Sequence, residues 1–220
     1  MEMRWEKPTI KEIPPEDGWR KMNDIENRKV FVEVGSCDFD TNLPLLDNGW
    51  CGIFVEPSPK YNKQLSKLLN QNPNRHRARM ECSAISDYDG TIEFTQAKDM
   101  STGERISDWR RGISSITADN HKGERMFDIE DNAKWIDEVL EVPCMTLDSL
   151  IDKYKLPHIN YLKLDTEGHE TNILESYSFK IKPDFIKLEH AHIDDIYVSE
   201  LLRSHGYLVY VESVDMYAIR

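Results

Sequence analysis

Apolar residues along this chain come in short runs, each stopping at a polar residue next to a backbone breaker. Val30–Val34 stops at Gly35, and Gly52–Val55 stops at Glu56-Pro57. Such runs, too short and too uniformly apolar for half-exposed strands, predict strands buried on both faces. Between them, Thr41-Asn42 opens a short helix that tolerates Pro44 in its first turn, and Asn48-Gly49 closes it. After Pro57-Ser58-Pro59, with Ser58 as cap, Tyr61, Leu65, Leu68 and Leu69 recur at helical spacing and predict a second helix.

The same alternation continues. Ala78–Ile85 predicts a third strand, and the tight turn Asp87-Tyr88-Asp89-Gly90 predicts a hairpin into Thr91–Thr95. Residues 96–138 are polar and weakly periodic, which predicts an insertion outside the core, with a helix around Asp131–Val139. Strand Val142–Met145, helix Leu147–Tyr154 and strand Ile159–Leu164 follow. A helix through Asn172, Ile173 and Leu174, strand Phe185–Leu188 and helix Asp195–Ser204 come next. Tyr207–Val211 and Met216–Ile219 predict a closing antiparallel pair. Strands alternating with helices make this an α/β chain with a doubly wound, mostly parallel sheet closed by a C-terminal hairpin. Residues 1–28, with three prolines, mixed charge and a short helical patch near Gly18–Asn23, read as an N-terminal extension to a domain at 29–220.

Composition narrows the partners. The chain has 220 residues, enough for one substantial core. A net charge of −12 argues against duplex nucleic acid or an anionic membrane as the main partner. The basic clusters Arg75-His76-Arg77-Ala78-Arg79 and Trp109-Arg110-Arg111 read as solvated surface. No apolar run is long enough to span a bilayer, and Met1–Arg20 lacks the apolar stretch of a secretory signal. Cys37, Cys51, Cys82 and Cys144 are widely spaced, with no C-x-x-C pair, which fits reduced thiols in a cytoplasmic protein.

In open parallel sheets a ligand sits beyond the carboxyl ends of the strands. Polar groups stand at four such ends: Glu33-Val34-Gly35-Ser36, Glu56-Pro57, Asp165-Thr166-Glu167 and Glu189-His190. Glu56 is placed to accept from both hydroxyls of a ribose, and Gly35 permits close backbone approach. Cys82-Ser83-Ala84 supplies small residues where a flat base fits. The first loop lacks the second and third glycines of G-x-G-x-x-G and carries Asp38 and Asp40. Those acids repel a pyrophosphate, which counts against NAD and FAD, and they favour a sulfonium and an ammonium. Charge alone therefore tilts the reading towards S-adenosylmethionine and methyl transfer.

Phe31-Val32-Glu33-Val34-Gly35 with Ser36–Thr41, then Phe54-Val55-Glu56-Pro57-Ser58-Pro59, resembles the first two motifs of FkbM-type methyltransferases. Ala84–Phe94, Met145–Leu150 and Tyr161-Leu162-Lys163-Leu164-Asp165-Thr166-Glu167-Gly168-His169-Glu170 are similar to later segments of that family. The resemblance runs from about Phe31 to Glu189. It implies a Rossmann-like class I methyltransferase fold, S-adenosylmethionine as donor, and methylation of a hydroxyl on a sugar or other small molecule. It also implies Glu33 and Gly35 near the methionine part, Glu56 on the ribose, Ser83 and Ala84 near the adenine, and Asp165 close to the transferred methyl. With them, Ser36 and Asp38 of the first loop complete the expected cofactor contacts. The first loop departs from the glycine-richer version common in the family.

A hydroxyl acceptor needs a proton acceptor within hydrogen-bond reach, and Asp165, Glu189, His190 and His169 are the candidates. A small-molecule or glycan acceptor is expected at the insertion 96–138. Two other classes remain open. His190-Ala191-His192 with Asp165 and Glu189 is rich in ligand types, as in a metal-dependent hydrolase. Against that, His-Ala-His at a strand end points its imidazoles opposite ways, so no metal is assigned. A non-catalytic nucleoside-binding module is the third reading.

Overall fold

A computed structural model describes residues 27–37, 42–99, 114–116 and 135–220. Strand β1 (Val30–Val34) is buried along its whole length. Its alternation divides the core: Val30, Val32 and Val34 join one apolar cluster, and Phe31 joins another on the opposite face. Helix α1 (Leu43–Asp47) leads to β2 (Cys51–Val55), equally buried. Helix α2 (Pro59–Gln71) starts at Ser58, whose side chain accepts from the Tyr61 N–H, as expected. Tyr61, Leu65 and Leu69 are buried, but Leu68 is 44% exposed. Asn62 and Ser66 take the sheet-facing positions instead, and the Asn62 amide bonds the carbonyls of Glu56 and Glu81, tying two strand ends together.

The expected third strand divides. β3 (Ala78–Glu81) pairs with β2, whereas β4 (Ala84–Ile85) leaves for a second sheet. The expected hairpin is also absent: β4 and β5 (Gly90–Asp99) both pair with β7 (Trp135–Met145) and flank it. The turn between β4 and β5 is held instead by Asp89, whose carboxylate accepts from Thr146 N–H and Ser149 Oγ. Over residues 135–139, β7 stands in place of the helix expected around 131–139, since these residues pair with β5 through Asp99; 131–134 lie outside the described residues. Short β6 (Ser114–Ser115) completes the second sheet in the order β4-β7-β5-β6. The expected helical patch at 18–23 lies outside the described residues.

Helix α3 (Leu147–Tyr154) begins at Thr146, which caps Ser149 N–H, and ends at Lys155 in the left-handed region. Strand β8 (Tyr161–Leu164), helix α4 (Glu170–Ser176), strand β9 (Phe185–Glu189) and helix α5 (Asp195–Ser204) follow. β10 (Leu208–Glu212) and β11 (Asp215–Ile219) close the chain. Among the described residues the main sheet has seven strands in the order β10-β11-β9-β8-β1-β2-β3. β3, β2, β1, β8 and β9 run parallel, and β11 and β10 join antiparallel.

Leu147, Leu150, Ile173, Leu174, Val198 and Leu202 bring α3, α4 and α5 onto one face. Leu46, Leu65 and Leu69 bring α1 and α2 onto the other. There Phe31 meets Phe54 edge-on at 5.2 Å between ring centres. Gly52 makes that possible, because a Cβ at this position would lie 2.0 Å from the Phe31 ring. The strand order reverses between β1 and β8, and a ligand crevice belongs there. All four cysteines are free. Among the described residues no helix is long and apolar enough to cross a membrane.

Candidate functional site

The site is built where β1, β2 and β8 end side by side. Gly35 has φ +80, and its Cβ position would lie 1.8 Å from the Asp165 carbonyl oxygen. Only a glycine lets these two loops touch. Gly35 and Ser36 N–H both donate to the Val55 carbonyl, and Asp165 N–H donates to the Val34 carbonyl. The first turn is thereby fixed against both neighbouring strands.

Glu56 leaves β2 into this corner and is 4% exposed. Its Oε2 accepts from Cys37 N–H and its Oε1 from Ser58 N–H, each at 2.7 Å. Two backbone donors thus orient the carboxylate at the mouth of the first loop. Around it opens a cleft with about 470 Å³ of space, part of it solvent. Gly35, Cys37, Glu56, Asp165 and Thr166 line one side. Ala84 and Ile85 of β4, Phe94 of β5 and Ile116 line the other, an apolar wall suited to a flat ring. This division between polar corner and apolar wall fits a nucleoside joined to an amino acid.

Of the expected cofactor residues, Gly35, Glu56, Ala84 and Asp165 share the cleft. Glu33 and Ser36 are buried beneath the first loop, where Ser36 Oγ donates to the Glu33 carbonyl. Ser83 is fully buried beside Ala84. Asp38 lies outside the described residues. The sequence reading missed Phe94 and Ile116, which reach the cleft through a second sheet whose strands are far apart in sequence. It also missed Lys163, although a lysine inside an apolar strand run is itself a signal.

Lys163 is 6% exposed on β8 and connects two carboxylates. Its Nζ lies 3.6 Å from Glu33 Oε1 and 3.3 Å from Asp165 Oδ2. Glu33 Oε2 accepts from Asn42 N–H at 2.9 Å, which anchors the start of α1. Burial raises the Glu33 carboxyl from 4.5 to about 7, and the Lys163 charge opposes the rise.

The other candidate bases are placed differently. His169 precedes α4, is buried, and sets Nε2 3.1 Å from Ser86 Oγ; burial lowers its pKa. His190 sets Nε2 3.0 Å from the Ser213 carbonyl in the closing hairpin. Glu189 ends β9 beside the end of β8, because Leu164 pairs with Leu188. Burial and the charges of Asp165 and Glu170 raise it to about 7.

The loop after β8 is itself highly ordered by one side chain. Glu170 accepts from Thr166 N–H, Thr166 Oγ1 and Gly168 N–H. Between them Glu167 adopts φ +56, and its carboxyl is raised to about 9 by burial and by Glu189, Asp165 and Glu170. His192 Nε2 lies 3.5 Å from Glu167 Oε2.

An FkbM methyltransferase from Methylobacillus flagellatus KT superposes with a TM-score of 0.55 at 12% identity, over 87% of this chain and 44% of that one. The chain thus spans under half the length of that relative. A precorrin-6y C5,15-methyltransferase from Geobacter metallireducens GS-15 gives 0.44 at 12% identity, over 92% and 85% of the two chains. The N-terminal domain of human METTL16, in complex with SAH, gives 0.43 at 12% identity over 93% and 66%. Likeness at such identity is one of fold, the Rossmann-like fold of class I methyltransferases. Among curated proteins none matches this sequence. The family described as "Methyltransferase FkbM domain" matches residues 29–209. That span is well over half of the chain, which therefore belongs to the FkbM methyltransferase family, with S-adenosylmethionine as its cofactor.

Proposed function

We propose that this protein transfers a methyl group from S-adenosylmethionine to a hydroxyl oxygen of a small molecule or glycan. The observation that carries the reading is Glu56, held by two backbone N–H donors in a cleft between polar strand ends and an apolar wall. As a cleft-lining carboxylate at the end of β2, Glu56 receives the two ribose hydroxyls, while Ala84, Ile85 and Phe94 take the adenine. Gly35 and Cys37 of the first loop take the methionine end, and Glu33 supports that loop from below.

S-adenosylmethionine supplies a methyl carbon already activated by its sulfonium. The protein's part is to align the acceptor oxygen and remove one proton. Asp165 is the candidate base that lines the cleft, and it accepts the hydroxyl proton as the oxygen–carbon bond forms and the sulfur–carbon bond breaks. Lys163 holds its carboxylate in place. Residues 96–138 are assigned to acceptor recognition; of these, Ile116 lines the cleft.

Calorimetry with S-adenosylmethionine and its demethylated product tests the cofactor role. Saturable binding of both is expected, with at least tenfold loss in Glu56→Ala. No binding of either refutes the reading, and unchanged binding in the variant refutes the ribose assignment. Formation of demethylated cofactor against a panel of sugars and small alcohols then tests the acceptor class.

A further inference from the structure

The corner beside the cleft holds a group of side chains that proton transfer to Asp165 does not use. Glu167, Glu189 and His192 each offer one ligand atom, and these atoms lie within 4.8 Å of one another. Ligands of a common divalent ion, at about 2.1–2.3 Å from it, stand at most about 4.5 Å apart, so a slight side-chain rotation brings all three into range.

More than acidity distinguishes this group. An imidazole nitrogen joins two carboxylate oxygens, a mixed set that suits Mn²⁺ better than Mg²⁺ or Ca²⁺. The three residues come from separate segments: the loop after β8, the end of β9, and the turn before α5. The loop that presents Glu167 is fixed on both sides, since Glu170 bonds Thr166 and Gly168. Glu189 stands level with Asp165, which lines the cleft. The charges acting on Glu189 include Asp165, Glu170 and Asp215, and the opposing Lys163 is already shared between Glu33 and Asp165.

We infer that Glu167, Glu189 and His192 form a divalent-cation site beside the methyl-transfer cleft. His192 is 30% exposed and Glu167 16%, so the corner is open enough for a ligand to enter.

Mn²⁺ alone, titrated into the purified protein and followed by electron paramagnetic resonance, tests the site without cofactor or acceptor. Saturable binding at one ion per chain is expected, with a nitrogen modulation in the pulsed spectrum from His192. Glu189→Gln should weaken binding at least tenfold, His192→Ala should abolish the nitrogen modulation, and Glu200→Gln, on the exposed face of α5, should change neither. Binding of the demethylated cofactor, measured on the same samples, shows that each variant is folded and reports separately on the methyltransferase reading. Absence of saturable Mn²⁺ binding in wild type overturns the site. So does a nitrogen modulation that survives in His192→Ala, or an affinity unchanged in Glu189→Gln.

Discussion

Replacing Glu33 by glutamine should make the protein more stable at pH 8 than the natural sequence, and progressively less so towards pH 5. Glu33 is fully buried, and its carboxyl is raised from 4.5 to about 7, first by burial. A group that holds its proton more tightly in the folded state stabilises the fold while it is protonated. Above pH 4.5 the unfolded chain ionises freely, whereas the folded chain cannot until about pH 7. Stability from this residue therefore falls between those values and is level beyond them. The full difference is about 3 kcal/mol, and between pH 5 and pH 8 about 2–3 kcal/mol of it is lost. Glutamine keeps an oxygen for the Asn42 N–H and leaves Lys163 its contact with Asp165. The advantage of Glu33→Gln should thus grow by about 2–3 kcal/mol from pH 5 to pH 8, because groups common to both proteins cancel. Urea unfolding without cofactor at several pH values measures it. Parallel pH profiles, or an advantage that shrinks as pH rises, would refute the burial of an ionisable Glu33 against Lys163.

Gly35→Ala should cost about 3 kcal/mol or more and abolish binding of the demethylated cofactor, since its Cβ meets a backbone carbonyl at φ +80; urea unfolding and calorimetry check both. Iodoacetamide at pH 8 should label Cys51, Cys82 and Cys144 far more slowly in the native protein than in urea. Burial raises all three thiols, Cys82 to about 12. Mass-spectrometric mapping reads the sites, and native labelling of any of the three at the unfolded rate would contradict the packing.

Much of the fold is written locally. Strands β1 and β2 are buried on both faces and so appear as apolar runs, interrupted only by Glu33, while Ser58 and Thr146 cap helices by bonds to residues three positions on. Helix α3 and helix α5 have the bounds that their periodicity predicts. The strand-end glutamate Glu56 was legible for the same reason, since a strand's last residue reaches the sheet edge wherever that strand pairs. What periodicity cannot express is which strand pairs with which. Ala78–Ile85 has one continuous pattern, yet it divides at Cys82-Ser83 because Ala84 and Ile85 find partners in Cys144 and Met145, sixty residues away.

The sequence by itself determined an alternating α/β domain and its polar strand ends, because each depends on neighbours within a few residues. Tertiary structure alone decided the apolar wall of Phe94 and Ile116, the linkage of Glu33 and Asp165 through Lys163, and the meeting of Glu167, Glu189 and His192. Those features arise from contacts between distant segments, set by strand order and register. A charge carried on one strand acquires its chemistry only from the strand that comes to lie beside it.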